Sequence, residues 1–314
     1  MRPIVMLIAG PTASGKSAVA LELAHRLGGE IINADSMQLY SDVQVLTARP
    51  TVEEMAGIPH HLYGVARVTE LYSVARWVGG AEAVMTDVLA RGNMPIFVGG
   101  TGLYFRALLE GLSEVPEIDP GVRNAVRELV DREGALTAYA ALQEEDPAMA
   151  ARLNPADRQR VSRALEVIRS TGQSLALWQG RTTPGPLALA DSDGQLGKVV
   201  LMPPRDWLYE RCNRRFDLMM HQGALDEVRA LPPADENLPG LKALGVLPLR
   251  DYLAGDCTLE DAIERAKATT RQYAKRQMTW FRNQCADWPQ IDEKESESII
   301  NIIFSKIIPD CLTP

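Results

Sequence analysis

The stretch Gly10-Pro11-Thr12-Ala13-Ser14-Gly15-Lys16-Ser17 decides the fold of this chain. It matches G-x-x-x-x-G-K-[ST] in full, with a β-rich apolar segment at 4–9 before it and helical apolar spacing over 15–27 after it. Glycines at both ends let the backbone wrap a phosphate with consecutive N–H groups pointing inward. The start of the helix adds positive partial charge at the same spot. In that pattern Lys16 reaches the outer phosphate and Ser17 holds Mg²⁺. The motif identifies a phosphate site and leaves the rest of the ligand open.

Working outward, residues 3–110 alternate strand and helix. A second strand is expected at 30–34, a helix at 73–90 stopped by Gly92, and another strand at 94–98. This alternation implies a parallel sheet with helices on its faces, a P-loop NTPase-like α/β core whose first part is 1–113. The stretch 113–120 reads as a linker, and Asp119-Pro120 as an N-cap followed by proline at the first helical position. From there to about residue 171 the sequence is helical without a convincing strand. Residues 180–197 read as a loop, and 198–202 (KVVLM) returns to strand composition. Residues 114–197 are therefore expected to form an all-helical insertion domain. The second part of the core, 198–290, is mainly helical, with helices near 205–221, 224–230, 240–253 and 259–283. The tail 291–314 shifts to Ile, Ser and Glu and reads as a short amphipathic helix or a frayed end.

Composition narrows the function classes. With 314 residues, 46% of them hydrophobic, the chain can bury a sizeable core, and no apolar run is long enough to span a bilayer. The apolar start is too short for a signal peptide, so a cytoplasmic location and no membrane partner are expected. Cys212, Cys257, Cys285 and Cys311 lie far apart without a C-x-x-C pair, which predicts thiols in a reducing compartment. The pair His60-His61 lacks flanking ligands at metal spacing. A formal charge of −8 argues against nucleic acid, but binding depends on local fields. Arg265, Lys267, Arg271, Lys275, Arg276 and Arg282 form a basic run, and Arg158, Arg160, Arg163 and Arg169 a second cluster. Each reads either as a solvated face or as a path for phosphates.

Two further turns sit at the carboxyl edge of the expected sheet, where ligands of open α/β folds bind. Gly99-Gly100-Thr101-Gly102 follows the strand at 94–98, in place of the aspartate usual in ATPases and kinases. Thr101 either faces the ligand or caps the next helix. Asp35-Ser36-Met37-Gln38 follows the second strand. Asp35 is either a helix N-cap or a general base beside the phosphate loop.

These residues resemble a known family. GPTASGKS at 10–17, DSMQLY at 35–40, TARP at 47–50, PHHL at 59–62 and VGGTGLY at 98–104 come in the order of the bacterial tRNA dimethylallyltransferases, or tRNA isopentenyltransferases. So do DRQRVSRALEV at 157–167, TGQS at 171–174, RCNRRF at 211–216 and QYAKRQMTWFR at 272–282. The chain departs from the family at Ala243 to Leu247, where a G-Y-[KR] turn is usual, and at Val43 to Pro50, where D-I-G-T-A-K-P is common.

The resemblance implies transfer of a dimethylallyl group from dimethylallyl diphosphate to N6 of an adenine beside the anticodon, position 37. It implies Asp35, Thr101 and Arg215 as catalytic residues, Gly10 to Ser17 as the diphosphate site and Mg²⁺ as cofactor. It places the tRNA anticodon stem-loop against Asp35, Ser36, Met37, Gln38 and Thr101. Further tRNA contacts are implied at Arg123, at Gln159, Arg160, Val161, Ser162 and Arg163, and at Arg271, Lys275 and Arg276. The protein is expected to act as a monomer. The competing expectation is a small-molecule kinase using ATP at the same loop; the absent strand-end acid and the two basic clusters weigh against it.

Overall fold

Residues Val5–Ala9 (β1) are buried at every position. A continuous apolar run of this kind belongs to a parallel strand covered on both faces. In the computed structural model, which describes residues 3–234 and 238–308, the chain divides into two units. One comprises Met1–Leu108 with Leu189–Pro314, the other Leu109–Ala188.

In the first unit β1 leads to α1 (Lys16–Leu27), β2 (Gly29–Asn33), β3 (His60–His61), α2 (Val74–Ala90), β4 (Met94–Gly99) and α3 (Gly102–Leu109). The second unit holds β5 (Leu112–Ser113), α4 (Pro120–Glu145), α5 (Pro147–Ala150), α6 (Arg158–Thr171), α7 (Leu175–Gln179) and β6 (Thr182–Thr183), and ends as α8 (Ala188–Ser192) begins. The chain then returns to the first unit through β7 (Leu196–Leu201), α9 (Arg205–His221), α10 (Ala224–Ala230), α11 (Val246–Ala254), α12 (Leu259–Gln284), β8 (Gln290–Ile291) and α13 (Ser296–Lys306).

The six strands of the first unit form one parallel sheet in the order β3-β2-β4-β1-β7-β8. Met6 lies opposite Ile96 on one side of β1 and Gly197 on the other. One face is packed by Val19, Leu23 and Leu27 of α1 together with Ile299, Ile300, Ile303 and Phe304 of α13. The tail is thus an amphipathic helix, and each of its four large apolar side chains stabilises the core by about 1.5–3 kcal/mol. On the other face Trp77 stacks on Tyr104 at 4.0 Å and donates its indole N–H to the Asn33 carbonyl at 2.9 Å.

The structure departs from the expected layout in four places. The inserted unit begins at Leu109 and ends at Ala188, earlier at both ends than the expected 114–197. It is helical except for an antiparallel ladder pairing Leu112 with Thr183 and Ser113 with Thr182. Two residues per strand carry no periodicity to read. The helix expected at 240–253 is broken, with a 3₁₀ turn at Pro239–Lys242 and α11 starting only after Gly245, whose φ is 96°. The expected tail supplies β8, because Val200 and Leu201 present an edge for Gln290 and Ile291 to pair with. Cys212 and Cys257 are free thiols, while Cys311 lies outside the described residues. Among the described residues no helix is long and apolar enough to cross a membrane.

One carboxylate is buried within the sheet. Glu30 of β2 accepts from Arg91 at 3.1 and 2.8 Å and from Asn93 at 2.7 Å, and lies 2.7 Å from His61 Nε2. The Arg91 hydrogen bonds do most to pull its pKa from 4.5 to about 2. A depressed carboxylate contributes stability that is complete above the unfolded pKa and is lost as pH falls through the folded one. Glu30→Gln is expected to cost roughly 2–3 kcal/mol at pH 7. Urea melts should show the gap from wild type closing as the pH falls from 4.5 toward 2. A constant gap would assign the loss to packing instead of charge.

Candidate active site

The loop between β1 and α1 turns on residues at positive φ: Gly10 at 156°, Ala13 at 64° and Gly15 at 92°. A Cβ on Gly10 would lie 2.7 Å from the Leu201 carbonyl oxygen, so the loop's first corner admits only glycine. Lys16 Nζ folds back to donate to the Pro11 carbonyl at 2.8 Å. Burial pulls its pKa down to about 8 against the raising influence of Asp35, and Arg215 adds to the fall. Two loop residues are corrected as donors to a phosphate. Pro11 has no N–H, and the Thr12 N–H is taken by Gln277 Oε1 at 2.8 Å. The Ser14 hydroxyl, by contrast, is buried in the loop without a hydrogen-bond partner among the described residues.

The loop opens into a cavity of about 470 Å³ in the first unit, within the range of small-ligand sites. Lys16, Arg211 and Arg215 line it with two carboxylates, Asp35 and Glu54. Both arginines come from α9, four residues and so one helical turn apart. Arg215 donates to the Thr12 hydroxyl, and Arg211 Nε donates to the Ala13 carbonyl at 2.9 Å. Burial lowers the Arg215 pKa, partly offset by Cys212 and Asp35. Leu21, Ile31, Ala48, Pro50 and Tyr63 form the apolar wall.

Asp35 stands two residues beyond the carboxyl end of β2. No helix follows it, so the N-cap alternative gives way to a local turn in which Asp35 Oδ1 accepts from the Met37 N–H at 3.0 Å. The other carboxylate oxygen accepts no hydrogen bond from a described residue. Thr101 reaches the same turn: its Oγ1 accepts from the Ser36 N–H at 2.9 Å and lies 3.2 Å from Ser36 Oγ. Burial raises the pKa values of Tyr63 and Tyr273, with Asp35 adding to each rise, so both remain phenols at neutral pH. Gln38 donates to the carbonyls of Thr47 and Ala48 at 2.9 and 3.0 Å and shapes the apolar wall.

Three residues at this site have roles that the sequence alone did not assign. Arg211 was legible, being one turn before Arg215. Gln277 falls in the buried row Thr270, Ala274, Gln277, Phe281 of α12, where an amide among small and apolar side chains signals a partner. Glu227 accepts from the N–H groups of Gln44, Val45 and Leu46 at 2.6, 2.7 and 2.9 Å and secures the wall loop from the far side; its partners lie about 180 residues away in sequence.

The expected RNA contacts divide. In α12, Arg271 donates to Asn213 Oδ1 at 2.6 Å, Lys267 pairs with Asp217 at 2.7 Å and Glu264 at 3.2 Å, and Arg265 pairs with Asp251 at 2.6 Å. Lys275, Arg276 and Arg282 make no ion pair among the described residues. In the second unit Val161 is fully buried in the core, which corrects its expected contact through a side chain. Gln159 and Arg160 are exposed, Arg123, Ser162 and Arg163 are half-buried, and Arg163 pairs with Glu166 at 3.5 Å.

Among the described residues no cluster of three or more His, Cys, Asp or Glu side chains could hold a metal. Mg²⁺ commonly uses one or two protein oxygens and completes its shell with phosphate and water. The Ser17 hydroxyl and the Asp35 and Glu54 carboxylates, all lining the cavity, suit that mode.

Comparison with known proteins agrees with this geometry. The family model described as IPP transferase matches residues 38–284, and that described as isopentenyl transferase matches residues 3–67. A tRNA dimethylallyltransferase of Parvibaculum lavamentivorans is 52% identical over 304 residues, 96% of this chain and 95% of that protein. Another, from Sphingopyxis alaskensis, is 50% identical over 98% of this chain and 99% of its own. The crystal structure of a tRNA isopentenylpyrophosphate transferase from Bacillus halodurans superposes with a TM-score of 0.67 at 35% identity, covering 99% of this chain and 98% of that one. A eukaryotic dimethylallyltransferase, in crystallographic snapshots of its action on tRNA, gives a TM-score of 0.77 at 28% identity over 96% of this chain and 79% of its own. With the phosphate loop, Asp35 and Thr101 gathered at one sheet edge and these matches spanning nearly the whole chain, the chain belongs to the tRNA dimethylallyltransferase family, the IPP transferases.

Proposed function

We propose that the protein transfers a dimethylallyl group from dimethylallyl diphosphate to the exocyclic N6 of adenine 37 in tRNA and releases diphosphate. The observation that carries this reading is one cavity holding the phosphate loop, two α9 arginines and the carboxylate of Asp35. An adenine amine is a poor nucleophile because its lone pair is delocalised into the ring. As its nitrogen bonds to the allylic carbon, the carbon–oxygen bond breaks and its electron pair leaves with the diphosphate. Asp35 takes the N6 proton through the carboxylate oxygen left open by its turn, a form of general-base help. Lys16 and Arg215 stabilise the charge gathering on the diphosphate, in surroundings dry enough to strengthen each interaction. Ser17 would hold Mg²⁺, which when bound neutralises part of the diphosphate charge. The adenine must leave its stack to enter the cavity. Lys275, Arg276 and Arg282 supply unpaired charge for RNA phosphates, and Gln159, Arg160 and Arg123 are the candidates of the second unit.

The direct test is mass spectrometry of unmodified tRNA incubated with protein, Mg²⁺ and either dimethylallyl diphosphate or ATP. One prenyl unit gained on adenine with the first donor is the expected result. Phosphoryl transfer from ATP without prenylation would return the protein to the kinases.

Lys16 makes donor affinity depend on pH. Below about 8 its ammonium is charged before and after binding. Above that it must take up a proton to meet the diphosphate, so affinity should fall by about tenfold per pH unit. Titrations of the donor between pH 7 and 9.5 should show this slope in wild type. Lys16→Ala should bind weakly with the slope gone; an unchanged slope would sink the assignment.

For Asp35, the Asn variant keeps the shape of the turn but cannot accept the proton. Single-turnover transfer with both substrates saturating should slow by about 10²–10⁴-fold. Near-normal turnover would leave Asp35 as a turn residue only.

For the basic helix, replacing Lys275 and Arg282 with Ala should flatten the salt dependence of tRNA binding, by roughly 0.7–0.9 for each phosphate that the helix no longer neutralises. An unaltered slope would make this face merely solvated.

A further inference from the structure

We infer that Gln277 is a positioning residue, clamping the diphosphate loop to the turn that carries Thr101 and so setting the distance between leaving group and base. This rests on the transfer reaction proposed above. Gln277 is 5% exposed on α12. Its Oε1 accepts from the Thr12 N–H at 2.8 Å, and its Nε2 donates to the Gly100 carbonyl at 2.8 Å. The amide orientation follows from the partners, since a backbone N–H can only donate and a carbonyl can only accept. A Cβ on Gly100 would come within 2.2 Å of the Gln277 nitrogen, so a side chain there would displace the amide from its place.

Each partner belongs to a different half of the chemistry. On the donor side, Thr12 also receives Arg215 on its hydroxyl. On the acceptor side, Gly100 precedes Thr101, which holds the Ser36 N–H next to Asp35. One side chain of α12 therefore grips both turns. A primary amide offers a donor and an acceptor side by side on one planar group, and Asn would carry it one methylene closer to the helix. Glutamate would set an oxygen against the Gly100 carbonyl, and methionine would satisfy neither partner.

Displacement at an allylic carbon needs nucleophile and leaving group held on a common line, and a misplacement of about 1 Å can cost on the order of 10²-fold. Loosening the clamp should thus act on turnover more than on binding, because the cations that hold the diphosphate remain in place.

The test compares wild type, Gln277→Glu and Gln277→Met in steady-state and single-turnover transfer, with thermal melts alongside. We expect kcat to fall by roughly 10–100-fold in both variants, with KM for dimethylallyl diphosphate and for tRNA close to wild type. Wild-type kcat in a variant that is merely less stable would overturn the inference. So would a raised KM for tRNA at unchanged kcat, which would place Gln277 against RNA. Hydrogen exchange of the Thr12 amide, by NMR on the wild-type protein without substrate, reads the clamp independently of any reaction and of how the variants fold. Slow exchange is expected, and the rate of an open amide would overturn the clamp. If the wild type transfers no prenyl group while the Thr12 amide is protected, the proposed reaction fails and the clamp itself stands.

Discussion

The site depends on the close approach of two strand ends at the carboxyl edge of the sheet. β4 ends at Gly99, and a Cβ there would sit 1.9 Å from the Ala34 carbonyl oxygen, just beyond β2. The Thr101 N–H then donates to that carbonyl at 3.2 Å, and the Ala34 N–H donates to the Val98 carbonyl at 2.8 Å. This contact lets a threonine hydroxyl meet the turn holding Asp35. Any side chain at residue 99 would push the two turns apart, and the carboxylate would lose its fixed place beside the phosphate loop.

Charge in the cavity is the second constraint. Lys16 and Arg215 converge with Arg211 on one cavity, where burial disfavours the charged forms of Lys16 and Arg215 and Asp35 offsets this only in part. The cost falls mainly on Lys16, whose pKa drops to about 8 while an arginine of higher intrinsic pKa stays charged. An anion entering the cavity relieves this repulsion, so the folded protein stores electrostatic preference for a polyphosphate. Fixed dipoles and cations need no reorganisation when charge develops on a leaving group.

The basic run of α12 shows how an acidic protein can serve an anionic partner. Carboxylates on α9, α11 and α12 itself neutralise Arg265 and Lys267, which holds these helices together. Arg271 is tied to Asn213. The charges left unpaired, Lys275, Arg276 and Arg282, lie toward the carboxyl end of the helix, the half that also carries Gln277. Composition gives only the sum of such charges, whereas pairing determines which of them a phosphate meets.

By itself the sequence determined the phosphate loop, the βα alternation, the bounds of α9 and α10, and the helical character of the insertion. These are local features: a glycine that must take positive φ, a cap, an apolar period. It also placed Asp35 and Thr101 at strand ends, leaving two readings for each. Tertiary structure removed the cap reading for Asp35. A helix would have been needed for Asp35 to cap, and the chain beyond it turns instead toward the Gly64 and Ala66 backbone. For Gln277 the sequence signalled a partner without naming it, and the role of Glu227 was illegible, because their partners lie far away in sequence. Strand β8 was equally hidden, since two residues become a strand only when an edge such as Val200–Leu201 is there to pair with them. Local rules act over a few residues, while a buried amide or carboxylate takes its meaning from whichever backbone the fold brings to it.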